Sequence, residues 1–461
     1  MTGSVAIAPV AIGAQVDAAA SAGLREIDGR PVVWFRVSGG AHHGAIGAAG
    51  AVTVARAVQM GCESRLPIVG VLDTSGAELR ENVAALDGWG RIARAFAQAS
   101  GVVPTVLSVI GPCVSGPALL LGLVDLVVMT ADAFAYVSGP DSVVEFTGID
   151  VDRATLGGSG MHSTRSGVAS LVVDTEEQAA EAVAALLSYL PSHHLEDPPL
   201  VPSSDANDRA CLAAASAVPA SSSSAYDVRD VVEDILDAES FVELRAGYAP
   251  NLVTALGHLG GRAVGIVANQ PAHRAGTLDI EASRKAARFV EWCDAFNLPI
   301  LTFVDTPGFE PGRDLEWRGM IRHGAQLVHA YSAATVPRIC IVLRKAYGGA
   351  YIVMDSRGVG NDVCLAWPGA EIAVMGAPGA VQILHGRRLG PLDATERSAA
   401  ETVLIDEYEA AFSNPYRAAE RGYVDAVIEP ADTRRVLVST LEALSTKRDR
   451  VRPRRHSNGP L

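Results

Sequence analysis

The sequence predicts an α/β protein built from two copies of one unit, each with a mainly parallel sheet. An apolar strand that ends in Asp-Thr-x-Gly occurs twice, and matching strands follow it in the same order in both halves. The strands are apolar throughout rather than alternating, which is typical of strands covered on both faces. Helical stretches separate the strands, and strands joined through helices form parallel βαβ units.

The first pair of matching segments sets the offset of the repeat. The segment PIVGVLDTSGA begins at Pro67, and PILTFVDTPGF begins at Pro299, so Asp73 and Asp305 are 232 positions apart. Ahead of the second segment, apolar residues recur at three- and four-residue steps from about Asp279, which predicts an amphipathic helix with that aspartate as its N-cap. A helix that leads into each Asp-Thr-x-Gly strand is therefore expected in both halves.

Two more pairs of segments repeat in the same order. PTVLSVIGPCVSGP matches PRICIVLRKAYGGA, which pairs Gly116 with Gly349 at an offset of 233. DLVVMTADAFAYVSGP matches DVCLAWPGAEIAVMGAP, which pairs Gly139 with Gly376 at an offset of 237. Three matches in one order with nearly constant spacing indicate an internal duplication.

The duplication gives a domain plan with a connection in the middle. We expect an N-terminal domain over residues 1–190, a linker over 191–225 and a C-terminal domain over 226–461. The connection is rich in Pro, Ala and Ser and has little hydrophobic periodicity, which favours a mobile or surface segment.

Composition excludes several classes of function. The chain has 38 Lys and Arg against 52 Asp and Glu, a net charge of −14, which argues against general nucleic-acid binding. The six cysteines form no C-x-x-C pair, so no metal site is predicted. No apolar run reaches about 18 residues, so no membrane span is expected. The first residues lack a signal-peptide pattern, which makes a cytoplasmic location the expectation.

Small residues at strand ends are the clearest chemical feature. Ser75-Gly76-Ala77, Ser115-Gly116-Pro117 and Gly348-Gly349-Ala350 each follow an apolar strand and precede a predicted helix. A helix N-terminus there would expose backbone N–H groups that can stabilise an oxyanion, such as a thioester enolate. The alternative is that these glycines only permit tight turns.

Longer motifs in the second half resemble a known family. LAWPGAEIAVMGA, RKAYGGAYIVM, FVDTPGFEPG and the closing RHSNGPL are similar to carboxyltransferase β subunits of biotin-dependent acyl-CoA carboxylases, of the actinobacterial propionyl- and acetyl-CoA type. The resemblance covers almost all of residues 226–461 and extends more weakly through about 30–190.

The resemblance implies two tandem crotonase-like domains, an acyl-CoA substrate on the first and biotin on the second. Carboxybiotin would be carried on a partner biotin carboxylase and carrier α subunit, and the chain would form a homo-oligomer, a hexamer. Ser115 and Gly116 would face the thioester oxygen, and Gly349 and Ala350 the biotin urea oxygen. Further substrate-binding positions carried over are Ser75, Gly76, Ala77, Gly139, Gly308, Gly348, Tyr351, Ile352 and Gly376. An apolar Ile352 resembles acetyl-accepting members.

The first half departs from the family pattern. Val114-Ser115-Gly116-Pro117 stands where the family has Ala-Gly-Gly-Ala, and Glu78 stands where it has Arg. Serine adopts a positive φ less readily than glycine, and proline has no N–H. Three hypotheses follow: a carboxyltransferase with an unusual acyl substrate, a biotin-independent malonyl- or methylmalonyl-thioester decarboxylase, or a non-catalytic assembly subunit. The sequence does not choose the acyl chain, or decide between CoA and a carrier protein as acceptor.

Overall fold

The structure is a computed structural model that describes residues 19–39, 42–447, 449, 453, 456 and 458–460. The chain divides into two compact units. The first extends to Pro199 and includes 244–248 and 295–297, and the second takes 200–243, 249–294 and the residues from 298 onward. Each unit contains its own β-sheet, as the internal repeat predicts.

The first unit is a sheet with helices on its faces. Its strands are β1 (Ala20–Ile27), β2 (Arg30–Val37), β3 (Ile68–Thr74), β4 (Thr105–Val114), β5 (Leu126–Thr130), β6 (Phe134–Tyr136) and β7 (Leu171–Val173). Its helices are α1 (Ala48–Ser64), α2 (Val83–Ala99), α3 (Pro140–Thr147), α4 (Arg153–Gly157), α5 (Ser159–Met161) and α6 (Glu176–Ser188). The strand order is β1-β2-β3-β4-β5-β7, and β6 pairs with β4.

The second sheet repeats this plan. Its strands are β8 (Val242–Leu244), β9 (Leu252–Leu259), β10 (Arg262–Asn269), β11 (Ile300–Thr306), β12 (Arg338–Tyr347), β13 (Val363–Ala366), β14 (Glu371–Ala373) and β15 (Ala426–Val427). The helices are α7 (Leu212–Ala217), α8 (Val228–Ile235), α9 (Ile280–Ala295), α10 (Arg313–Trp317), α11 (Met320–Ala333), α12 (Gly348–Val353), α13 (Ala377–Leu389), α14 (Ala394–Phe412), α15 (Pro415–Glu420) and α16 (Thr433–Ala443). The order is β15-β13-β12-β11-β10-β9-β8, with β14 on β12.

Each sheet has an antiparallel pair of strands followed by strands that pair in parallel. The pairs β1–β2 and β9–β10 are antiparallel, whereas the strands that follow them pair in parallel. The residues of β11 are buried along its whole length, as expected for a strand covered on both faces. The predicted mainly parallel α/β fold with two sheets is confirmed.

The predicted helix ahead of β11 is present as α9. The Asp279 carboxylate accepts a hydrogen bond from the N–H of Ala282 at 2.8 Å, which satisfies one of the free donors of the first turn. The buried face of α9 includes Ala286 and Val290. The apolar spacing therefore located both the helix and its start.

Residues 200–225, predicted to be part of a mobile or surface linker, pack into the second unit instead. Cys211 and Ala214 are fully buried in the hydrophobic core of the second unit. Arg434 is also fully buried, and its guanidinium donates to the carbonyl of Ala206 at 2.8 Å and to Asp237 at 2.6 Å. The Ala/Ser-rich composition concealed this packing because the contacts that hold the segment lie about 230 residues away in sequence. The domain boundaries at 190 and 226 stay a prediction.

Within the residues that the structure describes, no helix is long and apolar enough to cross a membrane. In the same residues, no group of three or more His, Cys, Asp or Glu side chains is arranged to hold a metal ion.

Candidate active site

The candidate site in each unit begins at a bend of the central strand. Between β3 and β4 the register shifts between Leu72 and Thr74, and between β11 and β12 it shifts between Val304 and Thr306. Both shifts lie two residues before the glycine of the Asp-Thr-x-Gly motif. They lie at the carboxyl ends of β3 and β11, the edge of an open α/β sheet where ligands bind.

The Asp-Thr-x-Gly loops have the same internal structure in both units. Gly76 has a φ of +107° and Gly308 a φ of +143°, conformations that favour glycine. Each glycine N–H donates to the hydroxyl of the preceding threonine, at 3.1 Å from Thr74 Oγ1 and 3.3 Å from Thr306 Oγ1. Ala77 forms an isolated parallel bridge with Ile46 next to this loop.

In each unit, a second glycine allows another segment of the same polypeptide to pack closely against the Asp-Thr-x-Gly strand end. A Cβ added to Gly44 would lie 2.1 Å from the carbonyl oxygen of Asp73, and one added to Gly276 would lie 2.5 Å from that of Asp305. Both have a φ above +70°. Only glycine fits such an approach, so the duplication extends to backbone packing.

The turn after β12 presents backbone donors. Gly348 has a φ of +59°, and a Cβ there would lie 3.0 Å from the carbonyl oxygen of Val374. Gly349 and Ala350 follow at the start of α12, where the first N–H groups have no acceptor inside the helix. Ala350 is fully buried, whereas Ile352 exposes 46% of its surface.

The matching turn after β4 has the same path with different residues. Ser115 adopts a φ of +63° at the position of Gly348, and its N–H donates to the carbonyl of Tyr136 at 2.9 Å. Gly116 opens a 3-10 helix over Gly116–Gly122 with Pro117 next. Ser75 lies in the neighbouring loop, where its hydroxyl donates to the carbonyl of His42 at 2.9 Å.

Another glycine follows each short strand and begins a helix. Gly139 is the N-cap of α3 and Gly376 that of α13, each with a proline in the first turn. A Cβ added to either would lie 3.4 Å from a tyrosine ring, that of Tyr136 in the first unit and Tyr347 in the second. Each unit thus brings its own predicted glycines around one strand end, and the role of each residue stays a prediction.

A cavity of about 300 Å³ lies beside α12 in the second unit. Its lining is mostly apolar and consists of Phe309, Glu316, Met320, Ile321, Gly324, Ala325 and Val353. A Cβ added to Gly349 would lie 3.5 Å from the Phe309 ring, so one lining residue of the cavity also contacts the glycine turn. Sequence reasoning missed these lining residues because they come from the loop after β11 and from α10, α11 and α12.

A buried ion pair lies beneath the second turn. The Arg344 guanidinium donates to the Asp305 carboxylate at 2.9 Å, and both side chains are almost fully buried. The Arg344 guanidinium also donates to the carbonyls of Ser221 and Ser224. Burial raises the pKa of Asp305 above its ordinary value, while Arg344 and then Lys345 act to lower it. In the first unit Gly111 takes the place of Arg344, so this pair belongs to one unit only.

Glu78, which stands where the family pattern has Arg, forms hydrogen bonds with nearby residues. The carboxylate of Glu78 hydrogen-bonds to His42 Nδ1 and accepts from the N–H of Arg80 at 3.0 Å. The N–H of Arg80, and then His42, hold the pKa of Glu78 below its ordinary value. Ionised Glu78 therefore stabilises the loop that contains His42 and His43.

Comparison with known proteins gives one family and close relatives. Residues 10–458 match the model of the carboxyl transferase domain. A propionyl-CoA carboxylase carboxyltransferase subunit of Haloferax mediterranei is 46% identical over 95% of this chain and 85% of its own length. The methylmalonyl-CoA decarboxylase subunit alpha of Veillonella parvula is 40% identical over 95% of this chain and 84% of its own.

A solved structure has the same fold. Transcarboxylase 12S, described as a hexamer assembly with hydrolysed methylmalonyl-CoA bound, superposes with a TM-score of 0.93 at 40% identity. The match covers 96% of this chain and 85% of that one. Both sheets of this chain are therefore included in the similarity.

Proposed function

The chain belongs to the carboxyl transferase domain family, and from that premise we propose that it transfers a carboxyl group from biotin to the α carbon of an acyl-CoA. The proposal takes the substrate class from the relatives, of which one is named for propionyl-CoA and one was solved with methylmalonyl-CoA hydrolysed.

One observation supports two substrate sites: the strand–bend–glycine turn occurs in both units, at Ser115-Gly116 and at Gly348-Gly349. Forming an enolate moves the electrons of the α C–H bond onto the thioester oxygen, where negative charge develops. Fixed N–H dipoles aimed at that oxygen favour the transition state, and each donor is worth about 10²- to 10³-fold in kcat. We assign the thioester oxygen to the turn at Ser115 and Gly116, with the N–H of Gly116 as the donor, because the N–H of Ser115 already donates to the carbonyl of Tyr136.

The cavity beside α12 fits biotin, which has a compact, mostly apolar ring system and one polar urea. Phe309, Met320 and Ile321 supply apolar surface, and the N–H groups of Gly349 and Ala350 start the adjacent helix. When bound, biotin supplies the carboxyl group and a urea nitrogen that accepts the α-proton. The chain holds the ring and offers N–H donors to the urea oxygen.

The remaining predicted positions support binding. The loop glycines Gly76 and Gly308 keep the strand ends free of side chains, and Tyr351 lies within α12 with only 8% of its surface exposed. The half-exposed Ile352 is our candidate for setting acyl-chain preference. A partner biotin carboxylase and carrier subunit, a hexameric ring and a cytoplasmic location complete the proposal.

Decarboxylation of a malonyl- or methylmalonyl-thioester is the second candidate. The 40% identical Veillonella relative carries that name, and the first-unit turn departs from the family pattern at Ser115 and Pro117. The same oxyanion-stabilising turn serves either direction, because both reactions pass through the enolate.

The test is fixation of radiolabelled bicarbonate by the purified chain with ATP and a biotinylated partner subunit, across acetyl-, propionyl- and longer acyl-CoAs. Gly349→Pro removes one N–H, and Gly369→Ala, where an added Cβ meets nothing within 4 Å, is the matched control. We expect acyl-dependent label that is lost in the first variant and kept in the second. Label absent with every acyl-CoA would refute transfer, and malonyl-CoA breakdown would then separate a decarboxylase from an assembly subunit.

A further inference from the structure

The cavity beside α12 has one charged side chain in an otherwise apolar wall. Six of the residues that line it have apolar side chains or are glycine, and the seventh is Glu316. Small-molecule sites are mostly apolar, and the few polar groups in them fix the orientation of the ligand. Glu316 is therefore the lining residue whose side chain can orient a ligand by a hydrogen bond.

A break between two helices brings Glu316 to the cavity. α10 ends at Trp317, and the N–H of Gly319 donates to the carbonyl of Glu316 at 3.0 Å. Gly319 has a φ of +93°, a conformation that favours glycine, and α11 begins at the next residue, Met320. Because the chain turns at Gly319, residues of both helices line the same cavity.

The Glu316 carboxylate is not engaged within the protein. Two arginines lie close to it in sequence, but Arg318 pairs with Glu281, and the Arg313 guanidinium lies over the Trp317 ring, 4.6 Å from its centroid. Among the residues that the structure describes, none donates a hydrogen bond to the Glu316 carboxylate or forms an ion pair with it. The carboxylate is therefore available to accept a hydrogen bond from a ligand.

A cyclic urea matches the donors and acceptors found here. Its carbonyl oxygen accepts from N–H groups, which Gly349 and Ala350 present at the start of α12. Phe309 lines the cavity and also contacts that turn, where a Cβ added to Gly349 would lie 3.5 Å from its ring. The N–H groups of a urea need an acceptor, and a carboxylate forms a hydrogen bond about twice as strong as a neutral acceptor does.

We propose that Glu316 is a biotin-binding residue whose carboxylate accepts a hydrogen bond from a urea N–H of biotin in the cavity beside α12. A urea nitrogen that carries the carboxyl group has no hydrogen left, so the other nitrogen is the donor in both forms of the ligand. The first unit has Ala84 at the position that corresponds to Glu316 at the offset of 232. The acid therefore belongs only to the unit that we assign to biotin, and this inference rests on the proposed function.

Two substitutions separate a hydrogen-bond acceptor from a side chain that only lines the cavity. Glu316→Gln keeps the shape and removes the charge, and we expect the Kd for biocytin, which is biotin joined to lysine, to rise about fivefold. Glu316→Leu completes the apolar wall and removes the acceptor, and we expect a rise of at least about tenfold. A residue that only lined the cavity would leave the Kd unchanged in Glu316→Gln and lower it in Glu316→Leu.

A control variant and a control ligand show whether the urea is the group that Glu316 binds. Asp314→Asn removes a carboxylate from the same helix, one that pairs with Arg318 at 3.4 Å and does not line the cavity, and should leave the Kd for biocytin unchanged. Lipoyl-lysine has the same arm and a sulfur-containing ring but no urea. NMR titration of both ligands should show that Glu316→Gln weakens biocytin and leaves lipoyl-lysine unchanged.

Bicarbonate fixation by the wild type separates this inference from the proposed function. If the wild type fixes label but binds biocytin no more tightly than Glu316→Leu does, the role of Glu316 is overturned and carboxyl transfer stands. Equal losses for biocytin and lipoyl-lysine, or no binding of biocytin to the wild type, would overturn that role as well. A wild type that binds biocytin through Glu316 but fixes no label with any acyl-CoA would refute transfer and keep the urea acceptor.

Discussion

Removing Arg344 should destabilise the second unit and make its stability depend on pH. Arg344→Met keeps much of the side-chain volume but leaves the fully buried Asp305 with only the Lys345 ammonium, 4.0 Å from its carboxylate. Breaking a buried ion pair from one side costs about 3–5 kcal/mol, because the remaining charge stays desolvated. The variant also loses hydrogen bonds to the carbonyls of Ser221 and Ser224, at 2.8 and 2.9 Å.

The pH dependence follows from the direction of the Asp305 pKa. Burial already raises that pKa, and Arg344 is the first influence that opposes it. A raised pKa means that the folded protein holds the proton more tightly than the unfolded chain does. The stability contributed by this group is therefore complete below the ordinary aspartate pKa and is lost as pH rises through the folded pKa. Without Arg344 the pKa rises further, so the variant should lose more at pH 8 than at pH 5.

Urea unfolding followed by circular dichroism at pH 5 and pH 8 measures how the free energy of unfolding of the variant depends on pH. The double variant Asp305→Asn/Arg344→Met removes both charges and should recover about 2 kcal/mol at pH 8. Asp73→Asn is the matched control in the first unit, where Gly111 stands opposite the carboxylate, and should change stability by less than about 1 kcal/mol. A pH-independent loss below about 1 kcal/mol in Arg344→Met would show that the buried pair does not stabilise the fold as argued.

Two further predictions concern glycine conformations. Ser115→Gly relieves a positive φ at a non-glycine residue and should raise the free energy of unfolding by about 1 kcal/mol, seen as a higher Tm; a lower Tm would contradict the strain. Gly276→Ala places a Cβ 2.5 Å from a backbone oxygen and should cost more than about 2 kcal/mol in urea unfolding. Its control, Gly379→Ala in α13, meets only Met375 at 3.6 Å and should be neutral or stabilising; equal effects of the two would refute the packing argument.

Much of the fold could be read from local pattern. The repeated Asp-Thr-x-Gly strands predicted two parallel sheets, since continuous apolar runs between helices have few other arrangements. Asp279 marked the start of α9 because an N-cap is a contact within one turn. The Ala/Ser-rich composition before residue 226 predicted a mobile or surface segment. Cys211 is nevertheless buried there, by residues from distant parts of the chain.

The sequence singled out the glycines of the candidate site, whose roles stay a prediction, and did not single out the aromatic side chains that contact them. Gly116 and Gly349 follow strand ends, and a strand end followed by glycine is visible in sequence. Trp89 and Phe309 were not singled out, because each reaches its glycine from a different element.

The sequence by itself determined the duplication, the parallel sheets and the family, because strand and turn patterns are local and the motifs keep their spacing. Only the tertiary structure decided which ring covers each glycine, that Arg344 pairs with Asp305 beneath one turn and has no counterpart beneath the other, and that residues 200–225 pack on the second unit. These depend on contacts between residues far apart in the chain, whose free energy comes from burial and pairing in three dimensions.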